Sequence, residues 1–310
     1  MSEKRFTIYH TQLNMKKAYI ILAHKNLEHL MRMVERLDDG ESYFFIHVDL
    51  KTSLPCKYSD LAKRRHVSLL RRISTSWGGF SLAQATLNAL YEIKETGINF
   101  KAISLLSGQD YPIKENSEID AYFQNSEYGV FLDYFALPNY RRWETGGTYR
   151  YKKYFFGIDR ISLLFSKFIN LVSTFVPVLE RKLPSDLIPY CGSQWWTIDM
   201  YALDYILKFI AEHPDYVNFH KFTFAPDELF FHIILLNAKD PKLKNSICKD
   251  NLRLIKWEEW ENAHPEVLTS NNFEEIRRSK ALFARKFEGV EDELILNLID
   301  EKILYQTQLR

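Results

Sequence analysis

Cysteine is scarce in this chain. Cys56, Cys191 and Cys248 are the three in 310 residues. They are odd in number and far apart. None stands in a CxxC pair or at a Cys/His metal spacing, so neither a disulfide framework nor a zinc site is expected. They read as free thiols in a reducing compartment. An excess of one charge is missing too. Lys and Arg number 41 against 40 Asp and Glu, and no global field draws nucleic acid. No run of about 20 apolar residues is free of charge, so no spanning helix is expected. The nearest is 161–179, ISLLFSKFINLVSTFVPVL, interrupted by Lys167 and closed near Pro177. A core helix or a lid is the first reading of it. A patch resting on a membrane surface, near a lipid-linked acceptor, is the alternative. Residues 1–14 are polar and lack the apolar stretch of a secretory signal, so they read as an extension ahead of Met15. Neither GxGxxG nor the P-loop pattern occurs, and neither a dinucleotide fold nor a P-loop is expected.

What is present is aromatic and apolar. Six Trp, 18 Tyr and 22 Phe are many for this length. Their flat faces suit stacking on sugars or bases, although a bulky core accounts for most of them. Short apolar runs alternate with helical spacing through the first third. Strands are expected at Lys17–Leu22, Tyr43–Val48, Val67–Leu70, Lys101–Leu106 and Tyr128–Asp133. Helices are expected at Asn26–Leu37 and Ser81–Glu95, the latter with Ser81 as N-cap. Apolar strands between helices indicate a mostly parallel sheet covered on both faces. In such sheets ligands bind beyond the carboxyl ends of the strands. His24, Asp49 and the SGQD of Ser107–Asp110 close three of these strands, which points to a nucleotide site.

Residues 138–160 change character, mixing aromatic and basic residues around Gly146 and Gly147. They read as an irregular insertion. The later half offers GSQWWTID (Gly192–Asp199), a helix over Tyr201–Glu212, a helix starting at Pro226, a strand at Leu252–Trp257 and an amphipathic helix over Asp292–Tyr305.

Seven segments, in order, resemble one family. They are IHVDLK (Ile46–Lys51), SWGGFSLAQATLNAL (Ser76–Leu90), LLSGQDYPIK (Leu105–Lys114), GSQWW (Gly192–Trp196), APDELFF (Ala225–Phe231), LRLIKW (Leu252–Trp257) and FARKFE (Phe283–Glu288). The family is that of the Core 2/I-branching β-1,6-N-acetylglucosaminyltransferases and the related peptide O-xylosyltransferases. The resemblance implies a GT-A type α/β fold. Residues 15–135 would form a Rossmann-like half that binds the nucleotide sugar. Residues 136–310 would form the acceptor-binding and catalytic half of the same domain. Residues 138–180 match the family least, and acceptor choice is expected there.

The resemblance also implies roles. Asp49 would lie by the uridine, with His24 lining the same pocket. Ser107, Gly108, Asp110, Ser193, Gln194 and Trp195 would meet the donor. Trp196, Asp227 and Trp257 would serve the acceptor. Trp77 reads as packing. Glu228 would be the general base, removing the acceptor hydroxyl proton in an inverting transfer. Phe222, Phe224, Phe230 and Phe231 would desolvate it, while the dipole of a helix opening at Pro226 would act against them. In the resembling xylosyltransferases the Arg-Lys pair, here Arg285 and Lys286, contacts the diphosphate; in the branching enzymes the matching lysine does so. A second, upstream arginine of the branching enzymes has no clear counterpart here; Arg285 is the first substitute and Arg253 a weaker one.

Metal-dependent sugar transferases of this fold carry Asp-x-Asp. This chain has Asp49-Leu50-Lys51, and a lysine there opposes a hard cation, which needs several oxygen ligands. No metal and no cofactor is expected. The expectation is therefore a metal-independent glycosyltransferase acting from a UDP-sugar on a carbohydrate or lipid-linked glycan. UDP-N-acetylglucosamine is the first donor and UDP-xylose the second. A bacterial, cytoplasmic enzyme of surface polysaccharide synthesis is the expected setting, with peripheral membrane contact through 161–179 as the alternative. Two rivals differ in class. A nucleotidyltransferase would need a metal-binding carboxylate cluster. A non-catalytic carbohydrate-binding protein would need neither Glu228 nor the Arg-Lys pair.

Overall fold

The structure, a computed structural model, describes residues 15–54, 58–184, 186–257, 265–288 and 292–304. Residues 1–14 and Cys56 lie outside them, so their expected roles stand untouched. Twelve strands follow in chain order: β1 (Lys17–Ala23), β2 (Ser42–Val48), β3 (Val67–Leu69), β4 (Ala102–Ser107), β5 (Tyr111–Pro112), β6 (Val130–Phe131), β7 (Tyr134–Ala136), β8 (Tyr190–Gly192), β9 (Thr197–Ile198), β10 (Ile247–Cys248), β11 (Arg253–Ile255) and β12 (Phe283–Arg285). Seven of them form the main sheet, in the order β10-β6-β9-β4-β1-β2-β3. All its pairings are parallel except those of β9, which runs antiparallel to both neighbours. Ile20 sits in register with Phe45 on one side and Leu105 on the other. Strands from both sides of residue 135 share this sheet.

The unbroken apolar runs follow from burial on two faces. Ala18, Ile20 and Leu22 of β1 enter one core with the helices Ser81–Glu95, Met200–Glu212 and Phe230–Leu236. Tyr19, Ile21 and Ala23 enter the other, with the helices Leu27–Leu37, Asn116–Asn125 and Glu293–Ile299. Each fully buried Ile, Leu or Phe contributes roughly 1.5–3 kcal/mol. The mixed α/β fold with a large, mostly parallel sheet between helices is the one expected. A three-stranded sheet, β11-β12-β5, and the pair β7-β8 sit beside it.

Several boundaries move for physical reasons. Ser81 is the first helical residue, not the N-cap; its Oγ turns back to accept from the Ser76 N–H at 2.9 Å. The strand expected over Tyr128–Asp133 is two residues long. The one over Leu252–Trp257 is Arg253–Ile255. Pro226 opens a single 3-10 turn, Pro226–Glu228, and the helix proper starts at Phe230. The last helix runs Glu293–Ile299 and widens into a π-turn over Asp300–Leu304; Tyr305 lies outside the described residues. Residues 161–179 are not a core helix. The helix Arg160–Ser173 buries Ser166 alone. No helix among the described residues is long and apolar enough to cross a membrane.

Candidate active site

The floor of the site is the row of ends of β2, β1 and β4. The Asp49 N–H donates to the Ala23 carbonyl at 2.8 Å, and the Gly108 N–H to that of Leu22 at 2.8 Å. Gly108 is glycine because a Cβ there would stand 2.9 Å from the Ala23 Cβ. Asp49 is buried, and its own chain uses both its oxygens. Oδ1 accepts from the Lys51 N–H at 2.7 Å, and Oδ2 from the Thr75 N–H at 3.1 Å and from the Thr75 hydroxyl. Burial opposes its ionisation, but these bonds win and hold it below the usual carboxylate range. The Lys51 Nζ lies 3.7 Å from Oδ2. His24 is exposed at the mouth of this floor. The neighbouring chain partly desolvates its ring, and that and then Lys25 push its pKa down.

The second part of the site is basic. Arg285, at the end of β12, is buried and lies over the Trp195 ring, 4.3 Å from its centre. Its Nε is 3.7 Å from Asp110 Oδ1, too far for a hydrogen bond. Arg285 Nε and Nη1, Asp110 Oδ1 and Gln194 Nε2 are all buried without a hydrogen-bond partner. Burial lowers the pKa of Arg285 and raises that of Asp110. Unpaired buried groups of this kind are costly unless a ligand satisfies them. Lys286 joins Lys25 and Gln109 on one carboxylate, that of Glu288, at 2.8, 2.7 and 2.8 Å. Burial works against Glu288, yet these donors hold it down at about 2. Arg253 is not available to a ligand. It is buried and donates to the carbonyls of Leu105, Trp196 and Asn251. Ser107 holds the SGQD turn, its Oγ accepting from the Gln109 N–H at 3.0 Å.

The third part is the carboxylate edge. Ala225 adopts a left-handed conformation, φ 48°, with its N–H on the Gly78 carbonyl at 2.8 Å. That kink ends the chain's approach and starts the turn Pro226–Glu228. Glu228 Oε2 accepts from Arg150 Nη1; its side chain is 36% exposed. Arg150 is buried, and its guanidinium lies over the rings of Trp143 and Phe224. Asp227 beside it is buried with Oδ1 unpaired. Burial first, then the Glu228 charge, push its pKa up to about 7. Phe224 flanks this edge. Phe230 and Phe231 belong to the core, and Phe222 is exposed. Trp77 is exposed, with its ring edge-on to Phe224 at 5.5 Å.

One short segment joins the carboxylate edge to the basic part. Cys191 Sγ accepts from Arg150 Nη1 at 3.7 Å, and four residues later Trp195 carries Arg285. Between them, the Ser193 N–H donates to the Asp133 carbonyl at 3.3 Å, and Ser193 Oγ accepts from the Trp195 N–H at 3.3 Å. Trp196 departs from expectation. It is fully buried against Phe231 and is a core residue with no face for an acceptor. Trp195, next to it, is only partly buried, packed at the margin of the same core with its ring under Arg285. Trp257 is exposed and pairs with Pro265. Arg150, Lys25, Gln109 and Glu288 were not singled out from the sequence. Gln109 and Glu288 lie inside motifs already quoted, and Lys25 follows His24 directly. Arg150 sits in the insertion, where nothing but its aromatic neighbours marks it.

The sequence matches the family described as Core-2/I-Branching enzyme over residues 17–277. Among reviewed proteins it is similar to Xylosyltransferase 2 of Rattus norvegicus, 26% identical over 308 residues, covering 91% of this chain and 33% of that protein. Xylosyltransferase 2 of Homo sapiens is 25% identical with the same coverage. Xylosyltransferase 1 of Homo sapiens is 24% identical over 91% of this chain and 30% of its own length. The chain thus spans about a third of the length of these relatives. The Rossmann-like sheet, the strand-end site and the match over most of its length lead to one conclusion: the chain belongs to the Core-2/I-Branching enzyme family, a family of glycosyltransferases.

Proposed function

We propose that the protein transfers a sugar from a UDP-sugar to a carbohydrate hydroxyl in one inverting displacement without a metal ion. The acceptor oxygen bonds to the anomeric carbon, the bond to UDP breaks, and the hydroxyl proton passes to Glu228 Oε1. Arg150 holds Oε2, which fixes the carboxylate and leaves the other oxygen open. The departing diphosphate takes up the unpaired donors of Arg285, with Lys286 and Lys25 beside it; a preorganised cation of this kind stabilises charge as it develops. The observation that carries the reading is the segment Cys191–Trp195. It touches Arg150, which holds the base, at one end and the buried Arg285 at the other, so one short segment carries both halves of the chemistry.

Asp49 serves this reading by ordering the loop that carries Thr75, since its oxygens are already engaged. Lys51 holds the sequence position of the second Asp of Asp-x-Asp, and its ammonium lies 3.7 Å from Asp49 Oδ2, which supports a site without a metal. UDP-N-acetylglucosamine and UDP-xylose head the donor panel, the latter because the named relatives are xylosyltransferases. The test is donor hydrolysis and transfer across UDP-sugars in excess EDTA. Activity persists in EDTA, and Lys286→Ala weakens UDP binding and slows transfer together. Loss of activity in EDTA with recovery on Mn²⁺ would refute the metal-independent mechanism. Sugar binding without turnover would favour a carbohydrate-binding protein.

A further inference from the structure

The helix Arg160–Ser173 is amphipathic the opposite way from a helix that faces water. Two of its uncharged polar side chains, Ser166 and Asn170, turn to the protein. Ser166 Oγ accepts from the Phe156 N–H at 3.1 Å and donates to the Ser162 carbonyl at 2.7 Å. Asn170 takes both backbone groups of Tyr154, at 2.7 and 2.9 Å. The apolar side chains face out: Ile161, Leu164 and Phe168 are 80%, 67% and 60% exposed, and Phe175 and Val178 extend the patch past the helix. A helix on a water-facing surface buries its apolar stripe. This one shows it, so the stripe has a partner.

The charges around it name the partner's sign. Arg160 and Lys167 are exposed on the helix, and Lys152 and Lys153 on the segment before it. None of the four has a carboxylate partner among the described residues. The nearby acids are occupied: Asp159 caps the Ser162 N–H at 3.0 Å, and Glu180 pairs with Lys182 at 3.2 Å. An outward apolar stripe edged by unpaired cations complements an anionic, apolar-backed surface. It disfavours a second copy of the chain, because a two-fold pairing about the middle of the helix would bring Lys167 against its own copy.

We propose that this face docks on an anionic phospholipid bilayer. The dock would hold the carboxylate edge at the membrane. The Phe155 N–H bonds the Phe222 carbonyl and the Phe224 N–H that of Arg150, both at 2.9 Å, and Arg150 holds Glu228. The inference does not rest on the donor chemistry and is tested without any nucleotide sugar. The full chain is sedimented with vesicles of phosphatidylcholine alone and of phosphatidylcholine mixed equally with phosphatidylglycerol. It binds the mixed vesicles, and salt weakens the binding. Leu164→Ser with Phe168→Ser reduces binding at least about tenfold, the loss of two buried apolar side chains. Lys167→Ala reduces it by about fivefold on the anionic vesicles. Thermal unfolding like that of the parent shows that the exposed substitutions leave the fold intact. No binding by the parent, or binding unchanged in the Leu164/Phe168 variant, overturns the proposal. So does self-association that the same variant abolishes while vesicles go unbound.

Discussion

Glu228 presents one oxygen to Arg150 and keeps the other unpartnered. If that oxygen removes the acceptor proton, Glu228→Gln keeps UDP binding while turnover falls by roughly 10²–10⁴-fold. Turnover within a few-fold of the parent assigns the base elsewhere, with Asp227 next. Arg150 acts through Glu228, so Arg150→Met lowers kcat with little change in the donor KM, and Arg150→Lys recovers part of it; an equal rise in donor KM would place Arg150 at the donor instead. Asp227 gives a pH prediction. Its folded value of about 7 stands above the ordinary 3.8, chiefly through burial. Its contribution to stability is fully present below about 4 and is lost as the pH rises through about 7, because the folded state holds a proton that the unfolded chain releases. Asp227→Asn removes this dependence. Unfolding free energies at several pH values, with parallel slopes for parent and variant in that window, would contradict it.

Among the elements, the Ser76–Phe80 turn and the approach to Glu228 depend on each other. Gly78 has φ +72°, and a Cβ there would stand 2.9 Å from the Phe224 ring, while its carbonyl receives the Ala225 N–H. Gly78→Ala therefore strains the backbone and displaces Phe224, the ring over which Arg150 lies. Transfer falls while the fold remains; donor hydrolysis and melting measured together separate the two, and unchanged transfer would show that the loop does not position Glu228. SWGG is legible in the sequence as a tight turn. That it props the loop carrying Glu228 is not legible, because Gly78 and Ala225 are far apart in the chain and meet through a backbone bond.

At the scale of the molecule, ion pairs tie the central strand and the last helix to their surroundings. Lys17, at the start of β1, is buried on Asp39 at 2.6 Å and on Asp120. Asp300 takes the Tyr111 hydroxyl, Arg32 and Arg36, each at 2.8 Å, and pins the turn after the last described helix to the helix Leu27–Leu37. Lys17→Met leaves two carboxylates facing each other with partial access to water. It destabilises by about 1–3 kcal/mol, below the range for fully buried pairs. Denaturant unfolding checks this, and a loss within about 0.5 kcal/mol would make the cluster a surface contact.

Periodicity was enough to place the central strands and the helices between them, and strand-end chemistry marked the candidate site at their carboxyl ends. Apolar runs bounded by His24, Asp49 and Ser107–Asp110 carry that information locally. The short length of β6, the strand β9 and the antiparallel course of β9 were not readable, since two-residue ladders are set by neighbours far away in the chain. Glu228 and the Arg285-Lys286 pair stand in recognisable motifs. Arg150 does not, because a guanidinium finds its carboxylate through tertiary packing over 78 residues of chain. The motif GSQWW names two tryptophans; the sheet decides that Trp195 meets Arg285 and that Trp196 enters the core. Residues 161–179 show the limit most plainly. Their composition left a core helix, a lid and a surface patch open; Ser166 and Asn170 bind the backbone of 154–156, and that contact turns the apolar side outward.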